Sequence, residues 1–356
     1  MTPAYIFPDN LRRLARLALA CALLCGAAAL ARAQPPQQQP TPPPQDEDDT
    51  VVRVDTNLIV LNVGVADRRG APVLNLSRGD FNVYEDGVRQ QIVSFEPASA
   101  PFSLVLLLDV SGSTQNFRPT LKQSALRFVD ALHPEDRVAV VIFNAKTKTR
   151  AGFTTDRKKI AFAITDIPNE RGDTHLFEAL RYSLDLLSKE GKRRKAIVAL
   201  TDGVDTANRQ LDGRATAAAE TDAAAIATVK PDENPALRAV LDAADRQGVT
   251  IYPLALPSSD PRRLLSLTPQ QAAIYASARA RMNSLASRTG GRLHEINRVE
   301  DIGRLYAEVA ADMRTLYSIV YQSSNARPRD GSWRAINVEV ARPEAIARAR
   351  PGYYAR

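Results

Sequence analysis

The hydrophobic period of the chain changes along its length, and each period predicts a different architecture. In residues 104–108 five aliphatic side chains follow one another with no polar interruption, the pattern of a strand covered on both faces. Comparable runs occupy 137–143, 195–200 and 249–256, with a polar edge strand at 147–153 and a short strand at 292–296. Between them, stretches at 119–132, 158–167, 176–188, 235–246, 269–288 and 300–314 place apolar residues every three or four positions, as Leu121, Ala125, Phe128, Val129 and Leu132 do. Buried strands alternating with amphipathic helices predict an α/β region over 99–314, a Rossmann-like, doubly wound and mostly parallel sheet.

On either side the pattern is β throughout. Residues 58–65 are mostly apolar on both faces, 81–84 alternate, and Glu85-Asp86-Gly87 reads as a hairpin turn into 89–95, preceded by one helical turn at 76–81. Near the other end, 316–321 and 333–340 read as strands. Neither flank has enough strands to bury a face alone. Segments 51–98 and 315–356 are therefore expected to share a small β-sandwich into which the α/β region is inserted. Residues 208–234, rich in Ala, Asp and Thr, read as a rim insertion, helical at 214–227 and mobile elsewhere.

The chemistry concentrates where the first buried strand ends. Asp109, Ser111 and Ser113 are spaced two apart and leave the strand through a turn containing Gly112. They can gather three oxygens at the carboxyl edge, where open α/β sheets bind ligands. Two more stretches offer matching donors: Thr174, just before the amphipathic segment at 176, and Asp202 in the Thr201-Asp202-Gly203 end of another buried strand. A set of oxygens with few charges suits a hard divalent cation, Mg²⁺ first, with Ca²⁺ or Mn²⁺ as alternatives.

The order D-x-S-x-S, a later loop Thr and then T-D-G resembles the metal-ion-dependent adhesion site of von Willebrand factor type A domains, with Asp109, Ser111, Ser113, Thr174 and Asp202 in its positions. The resemblance implies that the cation accepts a Glu or Asp carboxylate from a protein partner. The pattern around Leu76 to Gly87 and the closing Arg350-Pro351-Gly352-Tyr353-Tyr354 are similar to exported relatives from acidobacteria. The rival functions are a structural envelope protein with a purely structural metal and a metal-dependent hydrolase or phosphotransferase using Asp109. The second lacks an evident general base. His133 and His294 read as surface or packing residues, His175 as a helix-start residue and Asp205 as a solvated turn residue, while Asp173 could cap a helix. Arg171-Gly172-Asp173 spells an adhesion tripeptide by coincidence, because its loop is needed for the metal.

Arg12, Arg13 and Arg16 precede an apolar run, residues 17–30, that closes on Ala31-Arg32-Ala33. This is the order of a secretory signal peptide, 1–33, too short for a membrane span. Export to the periplasm or cell surface is expected, with no span in the mature chain and a Pro- and Gln-rich disordered linker at 34–50. Both cysteines, Cys21 and Cys25, lie in the removed segment. Loss of its four Arg and one Asp lowers the formal charge from +7 to +4. No basic run is interleaved with aromatics, so nucleic acid is excluded as a partner.

Overall fold

The computed structural model describes residues 58–356 except 169, 171, 192, 257–266 and 326–329. The signal-peptide and linker assignments and residues 51–57 lie outside the described residues. Among the described residues no helix is long and apolar enough to cross a membrane.

The first flank supplies β1 (Leu58–Ala66), β2 (Phe81–Glu85) and β3 (Val88–Glu96). Asp86 and Gly87, both at positive φ, make the two-residue hairpin turn between β2 and β3. The α/β region supplies β4 (Phe102–Asp109), α1 (Arg118–Ala131), β5 (Arg137–Phe143), β6 (Thr147–Thr154), α2 (Arg157–Thr165), α3 (Leu176–Ser188) and β7 (Arg194–Thr201). It continues with α4 (Thr206–Ala215), α5 (Asp222–Thr228), α6 (Pro235–Gln247), β8 (Val249–Ala255), α7 (Pro269–Thr289), β9 (His294–Glu295) and α8 (Ile302–Met313). The second flank supplies β10 (Leu316–Gln322), β11 (Trp333–Val340), β12 (Ile346–Arg348) and β13 (Gly352–Tyr354).

Six strands in the order β6-β5-β4-β7-β8-β9 form one sheet, parallel except for β6 at its edge. Every residue of β4 is buried. Its alternation explains the unbroken apolar run: Leu104, Leu106 and Leu108 pack with Leu121, Phe128, Ile160 and Tyr306 on one face, and Val105 and Leu107 with Leu180, Leu184, Leu241 and Leu285 on the other. Both faces are closed by helices, as a parallel sheet requires.

The flanks do combine. In place of the two sheets of a sandwich they form a single antiparallel sheet, order β12-β1-β10-β3-β2-β11-β13, that curls around Leu61, Val63, Phe81, Val83, Tyr317, Ile319 and Tyr321. The second flank contributes four strands where its pattern suggested two, because β12 and β13 are too short to show a period. At the centre of the union β10 lies between β1 and β3, so each flank completes the other.

This sheet is clasped to the amino end of the parallel strands. Arg194, at the start of β7, donates to the carbonyls of Leu316, Ala98 and Ala100 and stacks on the Phe102 ring, 4.0 Å from its centre. The Asn62 amide donates to the Gly248 carbonyl (2.9 Å) and to Thr250 Oγ1 (2.8 Å). Gly248 has φ +63°, and a Cβ there would sit 2.4 Å from Val60, so this contact requires glycine. Two ion pairs complete the clasp: Arg348 with both oxygens of Asp312 (2.8 Å each) and Arg350 with Asp245 (2.6 Å).

The segment 208–234 departs from the expected mobile insertion. Its helices are α4 and α5, and a buried pair anchors it, Arg281 donating to both Asp212 oxygens at 2.7 Å. Gln270 reaches the carbonyls of Thr216 and Ala217, and Ser284 bonds Asp232. The low aliphatic content hid an attachment made by hydrogen bonds and charge.

Candidate metal centre

Parallel pairing puts the ends of β4, β5 and β7 side by side, Asp109 opposite Phe143 and Leu108 opposite Leu200. The loops that leave β4 and β7, and the α2–α3 loop bonded to the latter, carry the predicted residues. Asp109 ends β4 with no exposed surface. Its Oδ1 accepts the Ser111 N–H (2.8 Å) and its Oδ2 the Thr201 hydroxyl (2.7 Å). Thr201 Oγ1 in turn accepts the Gly203 N–H at 3.0 Å, so one hydroxyl joins two loops. The Ser111 and Ser113 hydroxyls lie 3.1 Å apart, Ser111 buried and Ser113 exposed. That contrast leaves the solvent side of the turn open.

The Asp202 side chain is buried and accepts the Val204 N–H at 3.0 Å. Gly203, at φ +81°, turns the chain where a Cβ would meet Met282 of α7 at 2.3 Å. Thr174, also buried, belongs to the third loop. Its N–H donates to Thr206 Oγ1 (2.9 Å), and the Thr206 N–H donates back to its carbonyl (2.8 Å). This reciprocal pair fixes Thr174 beside the Asp202 loop.

Two residues without a predicted role organise these loops. Buried Arg118, at the start of α1, donates to the carbonyls of Val110, Ser111, Pro168 and Glu170, tying the serine loop to the threonine loop. A cation at a helix N-terminus opposes the helix dipole, and that was the signal of a tertiary role. Thr114 is the other: its hydroxyl lies 2.9 Å from the Asp109 carbonyl and 3.0 Å from that of Ser111.

Burial, and after it the neighbouring Asp202 carboxylate, push the Asp109 carboxyl up to about 7, although hydrogen bonds from Ser111 and Thr201 act the other way. Two carboxylates and three hydroxyls, with no nitrogen or sulfur donor, suit a hard cation. Among the described residues no cluster of three or more His, Cys, Asp or Glu side chains could hold a metal, so a centre here depends on the hydroxyls.

The remaining candidates sort differently. Asp205 corrects the reading as a solvated residue: it is buried and caps α4 by accepting the Asn208 N–H at 3.0 Å. His175 holds the N-cap position of α3 with its Nδ1 3.4 Å from Glu178. His294 is buried in β9, and Asp173 is exposed.

Residues 104–204 match the family model described as von Willebrand factor type A domain. Solved structures are similar to this chain at low identity. The von Willebrand domain of the type V pili tip protein Mfa5 from Porphyromonas gingivalis is 14% identical, with 60% of this chain and 95% of that chain covered and a TM-score of 0.45. A von Willebrand factor type A protein from Catenulispora acidiphila is 10% identical over 85% of this chain and 74% of that one, TM-score 0.44. Proximal thread matrix protein 1 of the mussel byssus, with a zinc-occupied metal site, is 14% identical over 64% and 49%, TM-score 0.44. No curated protein matches.

Proposed function

With a von Willebrand factor type A region at its centre, we propose that this chain is an exported protein-binding module that engages an acidic group of a partner through a divalent cation. Asp109, Ser111, Ser113, Thr174 and Asp202 would hold the cation, Mg²⁺ being the first choice for such donors. Domains of this family commonly act as protein-interaction modules, and the match at 104–204 covers all five positions. The observation that carries the reading is the placement of Asp109: a fully buried carboxylate facing another carboxylate, braced by neutral hydrogen-bond donors. Burying like charges together is costly unless a cation joins them.

When bound, the cation supplies a Lewis-acidic position for a carboxylate oxygen. The chain's own residues do the rest. Thr201 and the Ser111 N–H hold Asp109 in one orientation, Arg118 fixes the two loops that carry the hydroxyls, and exposed Ser113 leaves an approach from solvent. Because only two carboxylates are present, Mg²⁺ alone should bind weakly and a partner's carboxylate should tighten it, each favouring the other by linkage. Calorimetry of Mg²⁺ binding with and without an acidic peptide tests this. Tighter Mg²⁺ binding with the peptide is expected, and equal affinity in both conditions would end the bridging mechanism. Export rests on the basic, apolar and small-residue order of residues 12–33. Secretion of the full chain but not of one lacking residues 1–33 is the corresponding check.

A further inference from the structure

The curled sheet parts between β2 and β3. Their ladder pairs Glu85 with Val88, Tyr84 with Arg89 and Val83 with Gln90, and there it stops. Beyond that point β2 stays with β11 as far as Phe81, while β3 stays with β10 through Gln91 and Ile92. The β3–β10 register skips Val93, a bulge of the kind that bends a strand. Phe81 and Ile92, which continued pairing would set opposite each other, instead line a cavity of about 550 Å³. Its other side chains are Arg78, Arg89, Gln90 and Gln91, with no carboxylate among them. Arg78, in the turn that leads into β2, donates to the Ile92 carbonyl, and Arg89 donates to Asn82 Oδ1 at 2.7 Å. Among the described residues neither guanidinium has a carboxylate partner. Asp80, next but one to Arg78, is engaged by the N–H and hydroxyl of Ser77 and by Arg342 at 3.8 Å. Gln90 is satisfied by Val88 and Ser324, whereas Gln91 is exposed.

We propose that this opening is an anion site, taking a small oxyanion of at least two negative charges, a phosphate or a polycarboxylate. Gathering two cations at one cavity with no carboxylate in its walls is unfavourable, and an oxyanion entering it relieves that. A guanidinium carries five N–H donors in a planar fork matched to carboxylate and phosphate oxygens. One hydrogen bond to a neutral acceptor holds each arginine here and leaves further donors for a ligand. Holding both side chains beforehand lowers the entropy lost when a ligand binds. The site belongs to the sheet clasped to the amino end of the parallel strands, so it stands apart from the cation-bridged reading above.

The test is calorimetry of the metal-free full chain with inorganic phosphate and with citrate, at an ionic strength held constant with sodium chloride. Saturable binding of at least one of them is expected, and the tighter of the two identifies whether the opening fits a compact phosphate or a polycarboxylate. Arg78→Gln and Arg89→Gln should each weaken that binding about tenfold or more, because each removes charge-assisted hydrogen bonds. Lys158→Gln, which removes the same charge from the exposed face of α2, should change it less than about twofold. Arg89 is an exposed strand residue, so its variant tests the site even where Arg78→Gln disturbs the turn before β2, and circular dichroism confirms that each variant folds. No saturable binding of either anion up to about 10 mM, an affinity unchanged in Arg89→Gln, or an equal loss in Lys158→Gln would overturn the anion site. None of these outcomes bears on Mg²⁺ binding at the other end of the parallel sheet.

Discussion

The two ends of the parallel sheet treat buried charge in opposite ways. At the amino end the carboxylates of the clasp meet arginines: buried Asp245 meets Arg350 at 2.6 Å and half-buried Asp312 meets Arg348 at 2.8 Å. Burial raises the Asp245 carboxyl, and Arg350 and Arg288 oppose the rise. At the carboxyl end burial also raises Asp109, but its charged neighbour is Asp202, which adds to the rise. The nearby guanidinium of Arg118 is spent on backbone carbonyls. One end sets opposite charges together and holds the molecule together, while the other sets two carboxylates side by side.

The largest expected effect lies at the amino end. Arg350→Met strands Asp245 with only Arg288 at 3.5 Å and should cost about 3–5 kcal/mol of unfolding free energy, measured by urea titration, with Mg²⁺ binding by the surviving folded protein unchanged. A loss below about 1 kcal/mol would erase the contrast between the two ends. At the carboxyl end Asp109→Asn should do the reverse, keeping or raising stability in chelator at pH 8 while lowering Mg²⁺ affinity by more than about a hundredfold. Undiminished Mg²⁺ binding in that variant would remove Asp109 from the site.

A pH series sharpens the same contrast. The folded-state value of Asp109, about 7, lies above the unfolded value of about 3.9, so the folded state holds the extra proton between them. In chelator its contribution to stability should fall as pH rises from about 4 to about 7 and stay at its minimum above that. Mg²⁺ must displace the same proton, so its affinity should drop about tenfold per pH unit below 7 and level off above. A flat calorimetric profile from pH 5.5 to pH 8.5 would contradict the burial of Asp109 beside Asp202. The smallest effect is expected of Thr174→Ala: a change in stability under about 0.5 kcal/mol, but a weaker coupling between Mg²⁺ and an acidic peptide. Unaltered coupling would place Thr174 outside the centre.

The α/β core was legible because its strands are buried on both faces and its helices on one, which is what unbroken and amphipathic runs encode. Four of the five candidate ligands were legible because they follow strand ends, and Thr174 because it precedes an amphipathic helix. Arg118 and Thr201 act through tertiary hydrogen bonds that no local period reveals, and Asp205 looked like any turn residue until α4 formed over it. In the same way α4 and the turn after it are held by Arg281 and Gln270 of α7, more than fifty residues away, so the composition of 208–234 suggested a mobility that the fold removes.

The threading of β10 between β1 and β3 sets an order of events in time. Glu85 accepts the hydroxyls of Tyr321 and Tyr353 across 236 and 268 residues, so the curled sheet must bridge nearly the whole described chain. Closing so long a loop in a disordered polymer is entropically unfavourable and slow. A folded α/β region shortens the search by bringing Phe102 and Leu316, the residues that enter and leave it, to either side of Arg194. Refolding should therefore show helix signal first and burial of Tyr317 and Tyr321 last. During the interval β1, β2 and β3 have exposed, unpaired edges, and aggregation will concentrate there.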